Sequence, residues 1–424
     1  MSETKPADIR AADAVAGMTQ LTDFEEIGEV LRSRKFIQAS SQLVRDTLMK
    51  DVLFLIDGEE HLARKRILTR LLDDDAVVGY RDRHLLPVIE RCLAEEAATR
   101  RGEDGMVHTD LAPLAQRCMH RVAAALCGID GVDSGDAVRR FISQLRTVVA
   151  GKTVDWSLDD KVAVIARATA AYEDFRVEFF EPSFARRTRR VAEARERGED
   201  PATIATTAPD LLTLMALHRE DTWKSDDLLI MREINTFLTA STQSATTAFI
   251  LYVMRLERWL EHHPGDRALI ATDAEFLRRA AFESLRVSVS PPARMRVATE
   301  EVTLASGRRI RSGETVALFL AEGNRESARF GEQGDAFNPH RRIAAGTTPW
   351  GLSFGAGAHA CPGRPLVTGS RSPAGAIGVD GTMVSMLRRF HAAGIALAPA
   401  RPPVRDPATH YEIYLSVPIL FTQL

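Results

Sequence analysis

Apolar residues recur at three- and four-residue intervals through most of this chain, the spacing of one buried helical face. The first such stretch, Thr22 to Leu31, opens on a capping residue, and two long blocks, about Val77 to Leu126 and Asp159 to Leu217, read as successive amphipathic helices. From a cap at Ser225 to a stop at Pro264-Gly265 the pattern runs unbroken over positions 226 to 263. A helix of that length spans roughly 55 Å, longer than most in globular proteins. Thr272-Asp273-Ala274-Glu275 has the form of a capping box opening a further helix. Strand patterns are confined to Arg296 to Glu301, to Val302 to Leu320 with Gly307 and Gly313 at its turns, and to a terminal strand pair from Tyr411 to Thr422. The pattern predicts a mainly α fold with a small β portion. No linker or internal repeat divides it, so a single domain over residues 21–424 is expected after a polar segment, residues 1–20.

Composition narrows the class without naming a function. Of the 424 residues, 45% are apolar and 27% charged, as in an ordinary globular protein. A net charge of -3 gives no argument for nucleic acid or an anionic membrane. The arginine-rich runs at 186–190 and 195–200 have acids beside them and no interleaved aromatics, so they read as solvated helix ends. No run approaches the ~20 apolar residues of a membrane span. The amino-terminal segment has no apolar signal core. Cys92, Cys118, Cys127 and Cys361 lack disulfide or zinc spacing. A soluble, cytoplasmic protein is expected.

One stretch carries chemistry. Phe354-Gly355-Ala356-Gly357-Ala358-His359-Ala360-Cys361-Pro362-Gly363 sets a cysteine in a glycine-rich loop. A lone cysteine is often only a buried core residue. A thiolate held in such a loop can instead be the axial ligand of a heme iron, where it pushes electron density toward bound dioxygen. Elsewhere, Leu238 to Ala248 in the long helix is crowded with small and hydroxylated residues, which suits either close helix packing or an approaching ligand. Glu283 and Arg286 are three apart and share a helix face.

The loop resembles, at every defining position, the heme-binding signature of the cytochrome P450 family. That resemblance implies the cytochrome P450 fold, a long central helix over heme b (iron protoporphyrin IX), and Cys361 as the metal ligand. Phe354, Gly355, Gly357, His359 and Gly363 are implied as cofactor-binding residues around it. Asp57 to Arg66 resembles the family's C helix, which implies His61 and Lys65 as propionate ligands, with Arg64 one residue off register as the other candidate base. Arg296 matches the arginine that binds a further propionate. In the central helix the best register puts Gln243 where the family has an acid and Ser244 where it has a threonine; a shifted register puts Thr246 or Thr247 near the iron instead. Phe337-Asn338-Pro339-His340-Arg341 completes a structural triad of Glu283, Arg286 and Arg341.

Two further departures stand out. Only about twenty residues precede the short B-type helix at Thr22, so a truncated or rebuilt start is expected. The Gly- and Pro-rich stretch from Pro365 to Gly381 precludes a continuous L helix. A short helix and a loop insertion are expected there, with helical character resuming at Met383.

The resemblance implies a monooxygenase of the bacterial type, inserting one oxygen atom from dioxygen into a small or medium apolar organic substrate. NAD(P)H would supply electrons through a ferredoxin or flavodoxin-type donor, attracted by Arg341, Arg342, Arg364, Arg371, Arg388 and Arg389. The alternatives are a peroxide-using or non-redox heme-thiolate enzyme, or a non-catalytic heme-binding protein.

Overall fold

The computed structural model describes residues 14–73, 76–207, 209–290, 292–370, 378–398, 401–410 and 412–424. Residues 1–13 of the polar segment, together with Arg371, Pro373, Gly375 and Tyr411, lie outside the described residues. Ten longer helices organise the rest: α1 (Phe24–Arg32), α2 (Gly58–Leu68), α3 (Leu86–Arg100), α4 (Leu111–Cys127), α5 (Gly135–Lys152), α6 (Lys161–Phe175), α7 (Glu181–Glu196), α8 (Asp227–His262), α9 (Phe276–Val287) and α10 (Thr382–Ala392). No helix of the described residues is long and apolar enough to cross a membrane. The chain forms two compact units, the first comprising residues up to Ala39, Ile89–Ala115 and Ser244–Leu424, the second Ser40–Val88 and Gln116–Gln243.

Every described strand belongs to the first unit. β1 (Thr19–Leu21), β2 (Phe36–Gln38), β4 (Arg294–Ala298) and β7 (Thr315–Leu318) form one sheet in the order β1-β7-β4-β2, in which only the β1–β7 pair is parallel. β5 (Val302–Thr303) and β6 (Arg309–Ile310) pair as the expected hairpin. β3 (Val107–Asp110), which the helical reading of 77–126 missed, lies beside β11 (Pro418–Phe421), with β8 (Ile395–Leu397) on its other edge. The terminal strands are therefore not paired with each other: β10 (Tyr414–Ser416) pairs β9 (Val404–Arg405) instead. Short strands leave register to distant partners, which local alternation cannot choose.

Helix starts follow side-chain chemistry. Asp23 accepts from the backbone N–H groups of Glu25 and Glu26, and Phe24, Ile27, Val30 and Leu31 bury one face of α1. The helix α5 had no place in the sequence reading, yet its signals are ordinary: Ser134 accepts from the Ala137 N–H, and Val138, Phe141, Leu145 and Val148 turn inward. In α8 the Leu229 N–H bonds Asp226 Oδ1 at 2.9 Å, so Asp226, not Ser225, caps the helix. The capping box at Thr272 is also corrected. Thr272 ends the preceding helical turn and donates to the Ala268 carbonyl, while Asp273 accepts from the Glu275 N–H in a local turn.

The second unit is helical, with α5, α6 and α8 contributing to one apolar core in which Phe141 meets Phe175 and Phe179 edge to face or tilted. In the first unit the expected short helix is Arg364–Thr368. Ser370 N–H bonds the Val379 carbonyl at 3.1 Å, and Asp380 is gripped by Arg278 at 2.7 Å and Arg388 at 3.0 Å before α10 begins.

Gly381 stands where a Cβ would lie 2.5 Å from the Val367 carbonyl oxygen. Gly381→Ala is expected to destabilise the protein by about 1–3 kcal/mol, whereas Gly265→Ala, with open space at its Cβ, should stay within about 0.5 kcal/mol. Denaturant midpoints of the two variants check this.

Candidate active site

In the first unit Glu283, on α9, is shared by two guanidinium groups. Arg286 reaches both of its oxygens at 2.7 Å through Nε and Nη2, and Arg341 reaches Oε1 at 2.7 Å. The Asn338 N–H adds a bond of 3.1 Å. All three charged side chains are buried. Arg286 extends the network, donating through Nη1 to the carbonyls of Asn324 at 2.5 Å and Gly334 at 2.6 Å. Such a fork satisfies a buried carboxylate in a way a single lysine could not.

Asn324 is the residue sequence reasoning missed. It is fully buried; its amide donates to the Arg286 carbonyl at 3.1 Å and Ser353 Oγ at 2.9 Å, and its Oδ1 accepts from the Leu352 N–H at 2.7 Å. Ser353 Oγ in turn donates to the Leu285 carbonyl at 2.8 Å. One amide thus fastens the segment entering the cysteine loop to the end of α9. No motif marks an isolated Asn in Gly323-Asn324-Arg325; only its burial reveals it.

The loop itself is closed by backbone bonds. Gly355 N–H bonds the Leu352 carbonyl at 2.7 Å, Cys361 N–H the Phe354 carbonyl at 2.8 Å, and Ala360 N–H the Gly357 carbonyl at 3.1 Å. Gly357 has φ +70°, and a Cβ there would lie 2.6 Å from the Leu31 carbonyl oxygen, so the last turn of α1 seats directly on the loop backbone. Phe354 packs edge-on to Trp350, Trp350 edge-on to Phe282 of α9, and the Arg364 guanidinium lies 5.6 Å over the Trp350 ring. His359 ends a turn of 3₁₀ helix and is half-buried.

Cys361 is exposed, while Cys92, Cys118 and Cys127 are buried. Burial raises the Cys127 thiol further from ionisation. Cys361 is therefore the sulfur that can meet a ligand. A Cβ on Gly363 would sit 4.0 Å from its Sγ, so glycine keeps that side of the sulfur uncrowded. Among the described residues no cluster of His, Cys, Asp or Glu could hold a metal ion by itself. Arg296, on β4, is buried and donates to the Met295 carbonyl.

The second unit holds His61, buried on α2, with Lys65 one turn later and half-buried. Arg64 is already engaged: it bonds Glu233 at 3.1 Å, the Asp51 carbonyl at 2.7 Å and Glu60. Burial raises the Glu233 carboxyl to about 7 against the pull of the Leu53 N–H and Arg64.

Along α8, Ala240 and Ser241 are exposed, Gln243, Ser244, Ala245 and Ala248 half-buried, and Thr239, Thr242, Thr246 and Thr247 buried. The small residues thus divide into a buried stripe and a more open one. Thr246 Oγ1 is buried with no hydrogen-bond partner.

The arginines near the cysteine loop have different surroundings, Arg371 lying outside the described residues. Arg341 belongs to the buried triad, Arg364 lies over Trp350, Arg388 is paired with Asp380 and Arg389 with Glu90. Arg342 is exposed.

No family model matches the chain. It is 33% identical over 149 residues to 6-deoxyerythronolide B hydroxylase of Saccharopolyspora erythraea, covering 33% of this chain and 35% of that protein. It is 27% identical over 237 residues to a cytochrome P450 133B1 sequence of Xylella fastidiosa, covering 55% and 50%. The chain thus aligns with half or less of the length of these curated relatives. Its fold is that of epothilone D-bound cytochrome P450epoK, with a TM-score of 0.69, 18% identity and coverage of 98% and 95%.

Removing Asn324 orphans groups at both ends of its bridge, at about 1–3 kcal/mol for a buried unsatisfied group. Asn324→Ala is expected to lower the denaturant midpoint and the heme content of purified protein together. Arg341→Lys, which keeps charge but loses the fork, should do the same. Normal heme content in both variants would show that the network does not hold the loop.

Proposed function

We propose that the chain is a heme-thiolate monooxygenase of the cytochrome P450 family, a reading supported by its cysteine-loop signature, its partial sequence relatives and its fold. The observation that carries the reading is the exposed Cys361 in a glycine-cradled loop fastened to a buried Glu283–Arg286–Arg341 network. Heme b, when bound, supplies the iron at which dioxygen is activated with two electrons and two protons, one oxygen atom entering the substrate and the other leaving as water.

The residues divide that work. Cys361 Sγ would hold the iron, and Phe354 would screen the sulfur from water. His61, Lys65, Arg296 and His359 would neutralise the propionates. Ser244 Oγ can both accept and donate a hydrogen bond, so it would pass protons from water; Gln243, an amide, would orient that water without ionising. The half-burial of Ser244 against the burial of Thr246 and Thr247 favours this register. The substrate class is a small or medium apolar organic molecule, in keeping with a relative named as a hydroxylase. A ferredoxin or flavodoxin-type protein would deliver electrons, drawn by exposed bases such as Arg342, so that transfer from an acidic donor would slow as salt rises. A peroxide-using reading, motivated by Gln243, is separated by whether turnover requires NAD(P)H and a donor.

Reduced protein with carbon monoxide is expected to show the red-shifted Soret band of thiolate ligation. Cys361→Ala should abolish it, and Cys92→Ala, Cys118→Ala and Cys127→Ala should retain it; loss in any of those three with retention in Cys361→Ala overturns the ligand assignment.

Ser244→Ala is expected to keep heme and substrate binding while raising the share of electrons lost as hydrogen peroxide. Thr246→Ala should leave that share unchanged. The measurement is product formed per NAD(P)H consumed, with peroxide assayed in parallel; the opposite pattern would move the register by two residues.

A further inference from the structure

The last turns of α8 carry a basic and aromatic face within the first unit. Arg255, Arg258, Trp259 and His262 recur at the three- and four-residue spacing of one helical face, and with His263 and Phe337 they line a groove of about 260 Å³. Trp259 is fixed there as a wall: its ring stacks on His263 at 3.7 Å, its Nε1 donates to Asp266 Oδ2 at 2.7 Å, and Phe337 stands edge to face against it at 6.1 Å.

Cations near a helix C-terminus are commonly explained by the dipole, an effect confined to the last turn. The two histidines fit that explanation, since His262 Nδ1 bonds the Arg258 carbonyl at 2.8 Å and His263 Nδ1 the Trp259 carbonyl at 3.0 Å. The two arginines do not. Arg255 donates through Nη1 to the Ser284 carbonyl at 3.2 Å and to Ser284 Oγ at 3.1 Å, and the rest of its fork bonds nothing among the described residues. Arg258 is exposed and makes no ion pair among the described residues. Burial holds the Arg255 guanidinium below the ordinary arginine value; Glu412 and Tyr414 pull the other way from beyond contact, and Arg325 and Arg258 repel it. Elsewhere in the same unit the buried guanidinium groups of Arg286 and Arg341 are met by Glu283. Here two such groups, one turn apart, line one groove with no carboxylate in contact with either.

A guanidinium fork matches the paired oxygens of a carboxylate or phosphate, so the partner these groups suit is an oxyanion. The walls add a second requirement, since Trp259 and Phe337 offer apolar ring surface. Size sets a third: a cavity of about 150 Å³ holds benzene, and drug-sized ligands take roughly 300 Å³ or more, so the groove has room for one ring and its head group. We propose that this groove binds a small aryl oxyanion, a carboxylate or phosphate carried on a single ring, at a site separate from the reaction centre. Positions 244 and 255 are ~16 Å apart along the helix. The groove instead adjoins the clamp, because Ser284, which Arg255 bonds, follows Glu283, and Phe337 precedes Asn338, whose N–H bonds Glu283. A ligand held there braces α8 against both segments, and by mass action it raises the thermal midpoint of the protein. The site stands independently of the monooxygenase reading.

The full-length protein as purified is titrated with phenyl phosphate, benzoate, benzyl alcohol and inorganic phosphate by calorimetry, with the heme spectrum recorded in parallel. At least one of the two aryl anions is expected to bind about tenfold or more tightly than both benzyl alcohol and inorganic phosphate, without shifting the Soret band. The better of the two identifies the head group. Arg258→Gln, at an exposed position where folding should be normal, and Arg255→Lys, which keeps the charge and loses the fork, should each weaken that binding at least about fivefold. Arg309→Gln, which removes an exposed arginine elsewhere in the unit, should leave it unchanged. No preference for an aryl anion over benzyl alcohol or over inorganic phosphate, or an affinity that survives in Arg258→Gln, overturns the site. A Soret shift that persists in Arg258→Gln places the ligand at the iron instead, and an equal loss in Arg309→Gln reduces the effect to net charge; either result also overturns it.

Discussion

A carboxylate shared between two arginines is the constraint on which the first unit depends. Glu283 is nearly inaccessible to solvent, and an ion so placed persists only when its lone pairs are fully used. Arg286 and Arg341 do this with forks, and each then reaches onward to backbone carbonyls at 324, 330, 334 and 336. The network is therefore a clamp on three chain segments, not one local pair. Asn324 carries it the last step to Leu352 and Ser353, from which the cysteine loop is built.

The loop needs that clamp because it has little structure of its own. Its hydrogen bonds are few and local, and its glycines raise the entropy of every alternative conformation. Rigidity is borrowed from α9 through Asn324 and the Phe282–Trp350–Phe354 ring contacts, and from α1, whose final turn lies against Gly357. An exposed sulfur is thus presented on a scaffold whose own polar groups are buried.

The second unit uses buried charge differently. Arg64 and Glu233 form a direct pair with added contacts to the Leu53 N–H and the Asp51 carbonyl. Lys152, at the end of α5, meets neutral partners only, all of them on α8. The first arrangement is complete as it stands, and the second contains an unpaired donor at Asn235.

The sequence by itself determined what depends on residues near one another in the chain. The long helix, the β5–β6 hairpin, the cysteine loop and the Glu283–Arg286 pair were legible because their periods, turns and spacings are local. The Gly- and Pro-rich interruption after Cys361 was legible for the same reason, since no side chain elsewhere can make Pro365 and Gly369 good interior helix formers. Other features were decided by partners far away. Strands β10 and β11 read as a pair and instead joined β9, β3 and β8, because short strands take their register from whichever edge the tertiary fold supplies. Arg64 read as a possible ligand and was drawn into Glu233, a residue 169 positions on. Asn324 and Lys152 had no local pattern at all: their meaning lies in burial and in which distant polar atoms they meet, and only the packed chain sets those.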